Sequence, residues 1–387
     1  MLCLKLFAFS VVAYHLVLAL SLPNNSTMFQ NSHYWKEKSH KRALQSIDTM
    51  DLTQGPTIRF ALIADHQYPR VGYFDEREDE EEHNKIHAKT LQHFKEVMST
   101  FHPDFVLHNG DMTEYGHAHQ MEKFLSNFHD MMEEGLFFTN AGNHDIKNNR
   151  ADCFYGYYGG GKGSNGCVID SWGVAINTNA YAKEKFNDGI YRDSNIVSVH
   201  SPDTFDDYLY KGPGDYSINY DNQQISIWGM QDSPTESYSM WWFWNELSRI
   251  DPIQPKIQAY NKVKNYLVSI PIFHNEYEHV SELDDPRYPV IFTAHTHRHS
   301  RELRVPYNNI HYRLGAWFNG EFATVEIENY HYMGMDVYYF KVVFYVDNSK
   351  KISYTDAFCY DLDQDIKDYC NESTKNLLIE MINSKYR

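Results

Sequence analysis

The chain has 387 residues, with 35 Lys and Arg against 52 Asp and Glu, and a formal charge of −17. Its 42% apolar content and its length belong to a globular chain that buries a large core without covalent staples, which excludes a disordered polymer. The acidic balance excludes general affinity for nucleic-acid polymers and anionic membranes, because phosphate groups select Lys and Arg.

Lys5 precedes an apolar run over residues 6–20, and the small residues Ala19 and Ser21 stand just before Leu22. The pattern predicts a secretory signal peptide over 1–21, too short and wrongly flanked for a membrane span, and with it a secreted or secretory-lumen location. Cys3 leaves with that segment, and Cys153, Cys167, Cys359 and Cys370 remain. An even count in an oxidising compartment predicts two disulfides; of the three connectivities, the local pairs Cys153–Cys167 and Cys359–Cys370 are expected. Sequons at Asn24, Asn25 and Asn371 add an expectation of glycosylation. Residues 22–56 are polar and irregular, a flexible extension or pro-segment. The main domain is expected over 57–349, and a disulfide-stapled segment with a helix near 377–382 over 350–387.

Order begins with an apolar run of strand length over 58–63, ending at Asp65. Leu91, Phe94, Met98 and Phe101 recur at helical spacing, and Pro103 closes that helix. Phe105-Val106-Leu107 reads as a buried strand running into Asn109-Gly110-Asp111. Met121, Phe124, Leu125, Phe128 and Met132 mark a second helix, stopped by Gly135, and Leu136-Phe137-Phe138 a third strand that runs into Gly142-Asn143-His144-Asp145. Alternating strands and helices predict a largely parallel sheet with its chemistry at the carboxyl ends of the strands. Further strands are expected over 216–220, 224–229, 266–273, 290–294, 323–327 and 338–346.

Three strand ends thus carry Asp65, Asp111 and Asn143, and the strand near 290 leads into Ala294-His295-Thr296-His297. Carboxylates, a carboxamide and imidazoles on one sheet edge are stable together when a cation sits between them, and that mixed donor set suits first-row transition metals better than Ca. One near match to another chemistry fails. Residues 156–163 read G-Y-Y-G-G-G-K-G, but Gly163 stands where a phosphate-binding loop needs Ser or Thr, and no strand leads in. That stretch is read as a loop bounded by Cys153 and Cys167, with Lys162 able to touch an anionic substrate. The acidic run 75–82 is read as a solvated loop or helix start, or a rim that repels polyanions, and Trp241, Trp242 and Trp244 as core residues of a short helix.

Asp65-His66-Gln67, Gly110-Asp111-Met112-Thr113, Gly142-Asn143-His144-Asp145 and His295-Thr296-His297, in this order, resemble the calcineurin-like metallophosphoesterases over roughly residues 57–346. The resemblance implies an α/β fold, a four-layer α/β/β/α sandwich of two mixed sheets. It implies a two-metal site in which Asp65 and His297 hold the first metal, Asp111 bridges, and Asn143 and His295 hold the second. A further His is required there; His274 fits best, with His200 as the alternative. The ions would be Mn, or Fe or Zn, and a metal-bridging hydroxide would attack a phosphomonoester or a nucleotide-type phosphodiester or diphosphate. His144 would act as general acid or as a donor to a phosphoryl oxygen, with Asp145 fixing its tautomer. Gln67 departs from the family's usual D-x-H. It can coordinate weakly, through its amide oxygen or a water, in place of a strong neutral donor, while His66, one residue earlier on extended backbone, points to the other face. A D-x-Q motif is similar to a branch of manganese-dependent ADP-ribose and CDP-alcohol diphosphatases. Glu114 stands where purple acid phosphatases place a metal-binding Tyr, so an iron–tyrosinate site is not expected. The expected partner is a small phosphoester; the alternative is a degenerate member that binds without turnover.

Overall fold

In the computed structural model, residues 53–71, 77–145, 168–189, 195–196, 198–200, 215–230, 266–275, 283, 285–304, 309–332, 335–347 and 350–361 are described. Sixteen strands lie among them: β1 (Thr53–Gln54), β2 (Ile58–Ile63), β3 (Arg70–Val71), β4 (Arg77–Glu78), β5 (Phe105–Asn109), β6 (Phe137–Asn140), β7 (Ser198–His200), β8 (Tyr216–Tyr220), β9 (Ile225–Gly229), β10 (Val268–Ile272), β11 (Val290–Thr293), β12 (Ser300–Arg304), β13 (Asn309–Arg313), β14 (Phe322–Tyr332), β15 (Met335–Val346) and β16 (Lys350–Asp361). The helices are α1 (Glu80–Phe101), α2 (Ala118–Glu134) and α3 (Val168–Asn187).

Two mixed sheets organise the fold. One runs β16-β15-β14-β2-β5-β6 with β1 beside β14, and the other β12-β13-β11-β10-β9-β8-β7. In the first, β2, β5 and β6 are parallel; in the second, β9, β10, β11 and β13 are. Side chains alternate across each strand, and the parallel strands β5, β9, β10 and β11 are buried on both faces. Phe60 and Leu62 of β2, Leu107 of β5, Ile227 of β9 and Phe292 of β11 fill the space between the sheets. Their neighbours Ala61, Ile63, Val106 and Phe137 face the helices, packing on Phe94, Phe124, Phe128 and Ile176. Trp228 and Ile291 face the other way, against Leu283 and Tyr288. The α/β architecture of two mixed sheets is the expected one; Trp241, Trp242 and Trp244, read above as core residues of a short helix, lie outside the described residues.

Local chemistry sets the helix ends. The side chain of Asp79 accepts from the Glu82 N–H (3.0 Å), and Glu80, Glu81 and Glu82 occupy the first turn, where the helix dipole favours anions. The acidic run is therefore, from 79 to 82, a helix start, and α1 begins well before the apolar spacing suggested. Gln120 Oε1 accepts from the His117 N–H at the start of α2. Helix α3 was not expected. Its Asn179 pairs with edge strand β6 as another strand would, accepting from Thr139 N–H (2.7 Å) and donating to Thr139 O (3.0 Å). Strands β12, β13 and β16 were also unforeseen, and β16 carries the first sheet to Asp361, past the division expected at 349/350.

The expected signal peptide over 1–21, residues 22–52, Cys153, Cys167, Cys370, residues 156–163 with Lys162, the three sequons and the helix expected near 377–382 lie outside the described residues. Cys359 is buried on β16. Among the described residues no helix is long and apolar enough to cross a membrane.

Candidate metal centre

The carboxyl ends of β2, β5, β6, β10 and β11 deliver Asp65, Asp111, Asn143, His274 and His295 with His297 to one place. Two groups of ligand atoms form there, Asp111 with His274 and His295, and Asp65 with Asp111 and His297; within each group all atoms lie within 4.8 Å of one another. Asp111 belongs to both. Asn143 Oδ1 lies 3.1 Å from His274 Nε2. Of the two histidines weighed for the remaining position, His274 is at the centre, whereas His200 sits exposed on β7, paired with Ser217.

Backbone conformation shows how much this place is constrained. Asp65, Gln67, Asp111, His295 and His297 all have positive φ, between 43° and 68°. Left-handed backbone costs a non-glycine residue about 1–2 kcal/mol, so five such residues in one site are held by their surroundings. The loops after β2 and β5 are stitched together by Asp65 N–H to Gly110 O (3.1 Å) and Gln67 N–H to Asp111 O (3.0 Å). Two glycines make the approach possible. A Cβ on Gly110 (φ 80°) would stand 2.4 Å from His274 Nδ1, and one on Gly142 would stand 2.1 Å from Asp111 Oδ1.

The donor set fits a pair of cations. Asp65 is fully buried, and neither of its carboxylate oxygens accepts a hydrogen bond; nor does Gln67 Oε1. His274 Nδ1 lies 2.8 Å from the Asn109 carbonyl, so it must donate there, and a neutral ring then turns the Nε2 lone pair toward Asp111 Oδ2 at 3.1 Å. Acceptors face acceptors, an arrangement that a cation resolves. Gln67 Nε2 donates to Asp111 Oδ2 (3.0 Å), which places its amide on the shared carboxylate and leaves Oε1 as the available oxygen.

His144 flanks the centre, its Nε2 3.9 Å from Asp111 Oδ2. Asp145 does not serve it as expected. Its Oδ2 accepts from the N–H groups of Met112 and Gly142, and its Oδ1 from the Thr113 N–H and hydroxyl, at 2.8–2.9 Å. Asp145 thus braces the turn after Asp111. The carboxylate at the His144 ring is Glu114, which sequence reasoning weighed only as a missing tyrosine: His144 Nδ1 lies 3.3 Å from its Oε1 and 3.2 Å from its carbonyl oxygen. Arg70, buried over the Phe318 ring, approaches the same Oε1 at 3.6 Å. An acid three residues after Asp111, buried and needing a cationic partner, was the signal available.

Burial alone would lower the pKa of His144, but Asp111 and then Glu114 outweigh it and hold the imidazole up at about 9. Burial raises the pKa of Asp111; protonated imidazoles at His274 and His144 outweigh it and hold the carboxylate charged, the role a cation takes over when His274 is neutral. A reaction that uses the His144 proton loses rate as pH rises through the pKa of that imidazole, which cations on Asp111 would bring below about 9. In Glu114→Gln one anionic partner is gone, and the alkaline limb of the pH–rate profile is expected to move down by about one unit or more; an unmoved limb would detach His144 from that limb.

A sequence model of the calcineurin-like phosphoesterases matches residues 58–299, more than half of the chain, and the chain belongs to this family. No curated protein sequence matches it. Among solved structures, it is similar to the calcineurin-like phosphoesterase YfkN from Bacillus subtilis (11% identity, 86% of this chain and 98% of that one, TM-score 0.31). Vps29 from Chaetomium thermophilum follows at 8% identity, covering 79% and 98%, TM-score 0.30. A Saccharomyces cerevisiae serine/threonine phosphatase with similarity to human PP5 has 13% identity, covers 69% and 72%, and has a TM-score of 0.26. Likenesses this loose carry no part of the argument below.

Proposed function

We propose that the chain is a secreted hydrolase of small phosphoesters that works with two divalent transition-metal ions, manganese favoured over iron or zinc. The observation that carries this reading is the shared carboxylate: two ligand groups meet at Asp111, beside buried Asp65 oxygens with no hydrogen-bond donor. Asp65, His297 and Gln67 would hold one ion, Asn143, His274 and His295 the other, and Asp111 both. Two such ions, when bound, acidify a water between them and offset charge on the attacking and leaving oxygens of an in-line displacement.

The chain's own groups do the rest. Glu114 orients the His144 ring through Nδ1, so that Nε2 presents a proton on the side of the shared carboxylate, where a leaving oxygen would need it. Asp145 keeps the Asp111 turn in place, and burial of Asp65 and Asp111 keeps bulk water from their oxygens. The charge of −17 favours small substrates over polyanions, which fits a phosphomonoester or a nucleotide-type diester or diphosphate. The signal-like residues 1–21 support secretion or residence in the secretory lumen, with no membrane span.

The test is metal content per chain, by mass spectrometry of protein purified without chelator. About two ions are expected, followed by turnover on a panel of phosphomonoesters, diesters and nucleotide diphosphates. No ion after incubation with Mn²⁺ or Zn²⁺ overturns the reading, and a binding role without turnover takes its place.

A further inference from the structure

His66 belongs to the first motif, yet its ring faces away from the ligand oxygens. It lies fully buried in the helical layer, edge-on to His83 of α1 (ring centroids 4.8 Å apart) and to Phe128 of α2 (5.1 Å). A main-chain carbonyl only accepts, so the 2.9 Å contact between His66 Nδ1 and Met112 O makes Nδ1 the donor. Nε2 is then an acceptor, and the Asn127 side-chain amide supplies its N–H at 3.0 Å. Burial, with His83 and His87 beside it, keeps the ring neutral.

What this bond grips gives it meaning. The two peptide units that follow Asp111 are held on both sides. Their N–H groups, from Met112 and Thr113, donate to Asp145. Their carbonyls, of Asp111 and Met112, accept from the Gln67 N–H and from His66 Nδ1. The loop that carries Asp65 therefore clamps the turn that carries Asp111, and His66 is the only side chain of that loop engaged on those two carbonyls among the described residues. We infer that His66 is a positioning residue that fixes the separation of Asp65 and Asp111, and through it the affinity of the centre for its metal ions. The inference rests on the two-metal reading given above.

Calorimetric titration of the metal-stripped full chain with Mn²⁺ tests it. His66→Phe keeps the ring volume and removes the donor; binding weaker by about tenfold or more is expected, the usual scale for loss of a group that orients metal ligands. His66→Asn puts an amide N–H where Nδ1 stands, and affinity within about threefold of the unaltered chain is expected. Unchanged binding in His66→Phe overturns the inference, as does equal weakening in both variants, because an N–H restored at the Nδ1 position would then restore nothing. If the unaltered chain takes up no Mn²⁺, the two-metal reading falls and the inference with it. Should His66→Phe not fold, Asn127→Leu, which removes the hydrogen bond from α2 to the ring, is read in the same titration; a loss of about threefold or more supports the inference and no loss overturns it.

Discussion

Asp111→Asn is expected to cost the protein both metal ions and, with them, turnover by about a thousandfold or more, since each ion supplies several kcal/mol of transition-state stabilisation. The reasoning is local. The variant keeps an acceptor for the His144 N–H, which Asp111 Oδ1 meets at 2.8 Å, so the turn has no reason to unfold. What it loses is the charge shared by both ligand groups, and the new amide nitrogen would face the Gln67 amide, donor against donor. Metal content and turnover measured on the same sample settle the matter. Loss of one ion alone would mean that Asp111 serves a single site, and retention of both would remove it as a ligand.

The second large effect is expected at His144. His144→Ala should lower turnover at least about a hundredfold, the lower range for loss of a positioned proton donor, with metal content unchanged. The side chain touches Glu114 and faces Asp111 at 3.9 Å without standing inside either ligand group, so its removal leaves both intact. The leaving group offers a further readout. An aryl phosphate, whose departing oxygen needs little protonation, should lose less than an alkyl phosphate. Equal losses on the two would argue for a role in binding the phosphoryl oxygens, and unchanged turnover would take His144 out of the reaction.

Much of the centre was legible because its residues follow strands that are themselves legible. Ile58–Ile63, Phe105–Asn109 and Val290–Thr293 are apolar on both faces, so their carboxyl ends could be located, and polar residues there stand out. His274 was preferred to His200 through the family resemblance, which asks for a histidine just after a strand between the third and last motifs. Helix α3 escaped because its buried face includes Thr178, Asn179 and Lys185, residues that carry no apolar period. Lys185 spends its ammonium on the Met132 and Glu133 carbonyls at the end of α2, a contact that no local pattern announces. Strand β12 reads S-R-E-L-R, the charged composition of an edge rather than of a core. The exchange of roles between Asp145 and Glu114 was hidden for another reason. Both are acids beside the right motifs, and only the left-handed turn at Asp111 decides which of them meets the imidazole and which the backbone.

That left-handed frame also bears on how such a site changes over time. Two of the rungs that hold Asp65, Gln67 and Asp111 in place run between main-chain atoms, which every residue type except proline provides. Where a ligand stands is therefore decoupled from what the ligand is. On the two-metal reading, a change between glutamine and histidine at position 67 would leave those main-chain rungs in place and alter only the side-chain donor at the site. A lineage holding this frame can explore metal use one side chain at a time, with the neighbouring carboxylates as fixed points.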